Sequence, residues 1–159
     1  MNIFYLDHDV TKCAKYHVDR HVVKMIVEST QILCSAYYFT GENNASPYKL
    51  THGNHPCCIW ARTSLSNWLW LKDLALALCT EYTYRYGKKH KCQAIIHSLK
   101  TPALSDYGFT KIACVMDEQY IISDDAVENY RNYYRHGKRH LWNWKGRNPP
   151  EWLITEQKS

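Results

Sequence analysis

Apolar residues return every three or four positions at Val18, Val22, Met25, Ile26, Ile32 and Leu33, a spacing that predicts a helix over residues 17–38 with one buried face. On its other side, His17, His21, Lys24 and Glu28 line up as one polar stripe three turns long. A second pattern runs from residue 64 to 86, where Trp68, Leu69, Trp70, Leu71, Leu74, Leu76, Leu78 and Cys79 are apolar on nearly every side. It predicts a long buried helix, started by Ser64 or Ser66 and stopped by Gly87. Shorter elements surround it. Asn2 to Leu6 suit a short strand, Asp9 caps a helix through Tyr16, residues 89–99 suit another helix, and Ser123-Asp124-Asp125 opens a last one. Residues 39–56 are rich in Gly, Asn, Ser, Pro and Thr and read as a loop, after which Pro56 enters a helix with Asn54 or His55 as cap. Residues 101–123 show little periodicity. The chain is thus expected to be mainly α, a compact helical bundle of one domain (1–159) around a long central helix, with at most a short N-terminal strand.

Composition narrows the function. At 159 residues the chain can bury a core without staples, and no run of about eighteen apolar residues suggests a membrane span. Asp7, His8 and Asp9 follow the first apolar residues directly, so no signal peptide is read. The seven cysteines are odd in number and two are adjacent, which fits reduced thiols and a cytoplasmic setting, that of a host cell if the protein is viral. A formal charge of +5 beside 13 Tyr and 6 Trp fits a partner made of phosphates and bases, DNA or a nucleotide, and equally a soluble protein with an aromatic core.

The stripe on the first long helix carries the candidate chemistry. Two imidazoles, an amine and a carboxylate in one row can supply acid, base and charge stabilisation, with His21, Lys24, Glu28 and His17 as catalytic candidates. The plain alternative is a solvated face in which Lys24 pairs with Glu28. A metal-dependent hydrolase using His17 and His21, four residues apart, is a rival reading. Val18 stands where the zinc-protease signature needs Glu, and no pair of cysteines has knuckle spacing, so no metal and no cofactor are assigned. Asn54 and His55, at a helix start, are placed to meet phosphate. Arg20 joins them, and Arg62 and Arg85 complete the candidate phosphate-binding set.

From Arg131 to Arg147 there are six Arg or Lys and no acid. Interleaved with Tyr and Trp, they suggest a surface that takes phosphates and stacks bases, through Arg131, Arg135, Lys138, Arg139, Trp142 and Trp144. The alternative is a terminal segment whose aromatic rings pack on the core while its cations reach water.

Five landmarks (residues 1–7, 21–25, 54–56, 60–62 and 81–88) resemble a family of small, largely bacteriophage-encoded proteins. Through it the chain is similar, more distantly, to the pyrimidine-dimer DNA glycosylases of the endonuclease V type. That resemblance implies a compact, mainly helical, metal-independent enzyme, and Asn54-His55-Pro56 is its sharpest match. It would set Arg20-His21-Val22-Val23-Lys24 on a motif whose catalytic residue is Glu, where this chain has His21. It also implies a catalytic N-terminal amine freed by loss of the initiator Met; Asn2 is too large for efficient removal, which leaves the amine on Met1. The expectation is an enzyme cleaving an N-glycosidic bond in DNA or nucleotides, with His21 as base, Glu28 stabilising positive charge, and Arg20 and Lys24 holding phosphate or sugar. The alternative is a non-catalytic viral protein that binds or sequesters DNA or nucleotides.

Overall fold

The computed structural model describes residues 1–154. Six α-helices follow in order: α1 (Val10–Tyr16), α2 (Asp19–Ser35), α3 (Pro56–Thr63), α4 (Leu65–Tyr86), α5 (Cys92–Ser98) and α6 (Ala126–Gly137). No strand forms among the described residues. The fold is mainly α, as the periodicity suggests. Ile3, Phe4, Tyr5 and Leu6 are instead an extended segment buried in the core. Their apolar side chains insert between helices, so the segment needs no sheet to hold it.

α4 is the central element and packs against α1, α2, α3 and α5. Trp68, Leu71, Leu74, Ala75, Leu78 and Cys79 are buried, and the Trp68 indole N–H donates to the Leu33 carbonyl at 3.0 Å. The helix is not apolar all round in its setting. Leu69 is exposed, and Trp70 lies half-buried against Tyr5 with its N–H on the His8 carbonyl. Gly87 ends the helix in the left-handed region, at φ 70°, where a Cβ would be strained.

The first long helix starts later than its pattern suggests. His17 and Val18 are extended, with ψ of 134° and 155°, and α2 begins only at Asp19. Three tertiary partners take the backbone groups that a continuous helix would have bonded internally. The His17 carbonyl accepts from Arg85, the Val18 N–H donates to the Tyr134 hydroxyl, and the Asp19 N–H donates to the Asn143 carbonyl. The break therefore costs no unpaired backbone polar group.

All seven cysteines are free thiols, six of them buried. Among the described residues no helix is long and apolar enough to cross a membrane.

Candidate active site at the amino terminus

The buried run Ile3–Leu6 pins the start of the chain, and Asn2 fixes its direction. The Asn2 side chain donates to the Val115 carbonyl at 2.8 Å, and its Oδ1 accepts from the Ile3 N–H and lies 2.8 Å from the Tyr130 hydroxyl. The Asn2 backbone N–H donates to Glu28 Oε1 at 3.1 Å. Met1 is thereby held against α2, its α-ammonium 3.7 Å from Glu28 Oε1 and its side chain only 6% exposed. Its sulfur accepts from the Cys58 thiol of α3.

Glu28 lies between two amines. Its other oxygen is 3.6 Å from Lys24 Nζ, and the exposures differ sharply: 13% for Glu28 and 67% for Lys24. The α-amine is the sheltered partner and Lys24 the solvated one. The expected Lys24–Glu28 pair is present, with the α-ammonium added to it.

His55 approaches from the third side. Its Nδ1 accepts the Cys57 N–H at 3.0 Å and caps α3, which leaves the ring neutral with its proton on Nε2. Burial lowers its pKa most, the α-ammonium and His52 add to that, and Glu28 opposes. Asn54 is exposed beside it. The turn that presents both is braced by Arg62, which donates to the Gly53 carbonyl at 2.5 Å and lies 3.6 Å over the Phe39 ring. The structure therefore brings Glu28, Lys24 and His55 together, with Asn54 next to His55 in the chain and Arg62 in support. It adds Met1, Asn2 and Tyr130, which no spacing in the sequence relates to residue 28.

The remaining candidates lie elsewhere. His21 stacks on Phe4 with centroids 4.0 Å apart, and its Nδ1 is 2.7 Å from the Tyr134 hydroxyl. Burial, then the nearby His17 and Lys138, pushes its pKa down to about 2. So weak a base cannot take a proton from water near neutrality, and the geometry corrects its assignment from catalysis to packing. His17 is fully buried, its Nδ1 donating to the Cys13 carbonyl at 2.7 Å. The two rings stand 6.4 Å apart at 76°, and the described residues hold no group of three metal-ligating side chains, so the His17–His21 metal reading has no third ligand. Burial raises the Cys57 thiol to about 12, which keeps it protonated and inert.

Arg85 is likewise structural. Its side chain is 0% exposed and is spent on Glu81, Asp19 and the carbonyls of His17 and Lys15, so it cannot reach an external phosphate. Arg20 is exposed at the far end of α2, beside a cavity of about 310 Å³ that it shares with His140 and Trp142.

Three cations of the basic C-terminal stretch are bound internally too. Arg131 pairs with Asp7 at 3.0 Å, Arg135 donates to the Trp152 carbonyl, and Arg147 forks onto Glu81. Lys138 lies 5.0 Å from the Tyr133 ring, and Arg139 lies 4.9 Å over Trp142. Trp142 and Trp144 donate to the carbonyls of Tyr134 and Tyr16. The packing alternative describes Arg131, Arg135 and Arg147, which nearby acceptors hold, whereas Lys138, Arg139 and Lys145 face aromatic rings with no acidic partner within 4.0 Å among the described residues.

The two buried histidines carry a stability consequence. Burial lowers His17 to about 4 and His21 to about 2, whereas both bind a proton near 6.5 once unfolded. Below 6.5 the unfolded state holds more protons, so stability falls with pH. Between pH 7.5 and 5 the loss is about 2 kcal/mol per ring, about 4 kcal/mol together, or roughly 8–16 °C in melting temperature. His55 and His90, also lowered mainly by burial, act in the same direction. Carboxylates held low, such as Glu81, lose their contribution only in more acid solution. Thermal melts should show this drop, roughly halved in His17→Gln; a melting temperature constant across the window would refute the assignment.

Neither the curated proteins nor the solved structures include a match to this chain. A family described as pyrimidine dimer DNA glycosylase does match, over residues 1–94, which span the N-terminal segment, α1 to α4 and the start of α5. That stretch holds Met1, Asn2, Lys24, Glu28, Asn54 and His55, the whole first ring of the site apart from the Tyr130 brace, and the chain belongs to the pyrimidine dimer DNA glycosylase family.

Proposed function

We propose that the protein is a DNA glycosylase whose nucleophile is the α-amine of Met1. The observation that carries this reading is the amine's position, sheltered and 3.7 Å from the Glu28 carboxylate. Family membership supplies the substrate class, damaged DNA with a pyrimidine dimer. The α-amine is the sheltered partner of Glu28, with a side chain 6% exposed against 67% for Lys24, and this favours Met1 over Lys24 as the attacking group.

The unprotonated amine attacks C1′ of the deoxyribose that carries one base of the dimer, and the bond from C1′ to that base breaks; the base takes the proton that the amine gives up and stays joined to its neighbour through the cyclobutane ring. The amine nitrogen gives up one proton to the base by way of Glu28, the C1′–O4′ bond opens as O4′ takes a second proton from solvent, and a protonated imine links Met1 to C1′. Water then cleaves that imine, returning the amine and leaving an abasic sugar, so the net reaction is hydrolysis of an N-glycosidic bond. Glu28 accepts the amine's proton and offsets positive charge developing at C1′. Lys24 meets a neighbouring phosphate, while Asn54 and the His55 Nε2–H offer hydrogen bonds to phosphate or base. This chemistry would serve DNA repair.

Borohydride reduction tests the reading directly. Incubated with duplex DNA carrying an abasic site or a UV-induced pyrimidine dimer, the protein should be trapped covalently, with the adduct mapped to Met1 by mass spectrometry. Lys24→Ala should still trap, whereas a two-residue extension ahead of Met1 should not. An adduct on Lys24 would reject the assigned nucleophile. Retained DNA binding with neither an adduct nor a new abasic sugar at the dimer would move the protein to the non-catalytic alternative.

A further inference from the structure

With Arg131, Arg135 and Arg147 paired internally, it is open which surface holds the DNA backbone beyond the amine. A cavity of about 290 Å³ lies between α2, residues 48–51 and the start of α5. Val27 and Gln31 of α2 line it, which places it within one turn of Glu28. Thr51, on the opposite wall, directly precedes the turn that carries His55 to the amine. The cavity thus adjoins the candidate active site on two of its elements.

Its charge is one-sided. Lys49 and Lys91 line it from different elements, both are exposed, and neither has an acidic partner within 4.0 Å among the described residues. No carboxylate lines it. The nearest acid along α2, Glu28, is occupied by Met1, Asn2 and Lys24. The Thr51 hydroxyl is buried and has no hydrogen-bond partner, a donor left over in a fold that pairs nearly all the rest. Lys91 also lines the adjoining cavity with Lys89 and His97, so the positive surface continues outward from there.

We propose that this cavity is a phosphodiester subsite, in which Lys49 and Lys91 clasp one stretch of DNA backbone while the Thr51 hydroxyl donates to a phosphate oxygen. The inference rests on the DNA-glycosylase reading for its ligand but names residues outside the amine's first ring. Two cations and a hydroxyl donor without an acid recognise an acceptor-only anion, and a diester oxygen offers no proton in return. The strand leaving the amine centre crosses the outer face of α2 at Lys24 and reaches Lys49 and Lys91 at its end.

Salt dependence gives the test. Binding of a fluorescent duplex carrying a tetrahydrofuran abasic analogue is followed by anisotropy between 50 and 300 mM KCl. Each lost phosphate contact should lower the slope of log K against log[salt] by about 0.9, so Lys49→Ala/Lys91→Ala should lose nearly two and bind at least roughly tenfold more weakly at 100 mM. Thr51→Val should weaken binding at an unchanged slope, the double Arg replacement should restore the slope, and Lys12→Ala, at an exposed position of α1, should leave it unaltered. A wild-type slope in the double Ala variant, with melting temperature preserved, overturns the subsite while leaving the glycosylase reading in place. Loss of slope in a protein that binds DNA but yields no trapped adduct upholds the subsite and rejects the glycosylase. Absence of DNA binding by the wild-type protein rejects both.

Discussion

Glu28→Gln is expected to slow single-turnover cleavage of the N-glycosidic bond by about 10²- to 10⁴-fold, the range over which positioned acid–base groups act. The substitution keeps shape and hydrogen bonding. A Gln carbonyl can still accept the Asn2 N–H that now reaches Glu28 Oε1, so Met1 stays where it is. What disappears is the negative charge between two amines. The neutral amide can neither accept the proton of the α-ammonium nor offset charge at C1′, and both effects fall on the chemical step rather than on binding. Saturating single-turnover assays on dimer-containing duplex, with affinity measured in parallel, separate the two. A rate within threefold of the wild type would remove Glu28 from the mechanism. A matching loss of affinity would make it a binding group instead.

How much of this site the sequence discloses depends on the range of each interaction. Lys24 and Glu28 are one helical turn apart, so their pairing can be read from spacing. His55 is legible as well, because Pro56 at the first helical position marks the cap before it. Met1 and Asn2 are not. Their contact with residue 28 exists because Ile3 to Leu6 are buried and because Asn2 binds Val115 and Tyr130 from the other end of the chain. No periodicity encodes a contact spanning more than a hundred residues. The break at His17–Val18 is hidden for a similar reason, since no Gly or Pro announces it and the partners that stabilise it are Arg85, Tyr134 and Asn143. That break splits the apparent four-residue stripe and carries His17 into the core. The same long-range effect explains the C-terminal cations. Arg131, Arg135 and Arg147 look like a nucleic-acid surface until Asp7, the Trp152 carbonyl and Glu81 are brought to them. Lys49 and Lys91, lysines of no apparent periodicity, are exposed and have no acidic partner within 4.0 Å among the described residues.

Arg85→Ala is expected to cost about 3–5 kcal/mol in urea unfolding, the range for removing one member of a buried charge pair. Glu81 and Arg85 are four apart on α4 and could be mistaken for an exposed helix pair worth a few tenths of a kcal/mol. Burial changes their weight. Arg85 Nε donates to Glu81 at 2.8 Å, Nη1 to Asp19 at 2.9 Å and to the His17 carbonyl at 2.8 Å, and Nη2 to the Lys15 carbonyl at 3.0 Å. One guanidinium therefore joins the end of α4 to the break between α1 and α2. Burial would raise the Glu81 carboxyl, but hydrogen bonds from Arg147 and Arg85 outweigh it and hold the group below its ordinary value. Removing Arg85 leaves two buried carbonyls without donors and Glu81 with the partly exposed Arg147 alone. Arg85→Lys should recover less than half the loss, since an ammonium cannot reproduce the planar fork. Arg147→Ala should cost clearly less than Arg85→Ala, because the buried partner remains. An Arg85→Ala variant within 1 kcal/mol of the wild type would show that α4 is not joined to the α1–α2 break through this residue. Because that break sets where α2 begins, the same variant should also lower trapping at Met1, which meets Glu28 about two and a half turns along the helix from Asp19, in proportion to the fraction unfolded and no further.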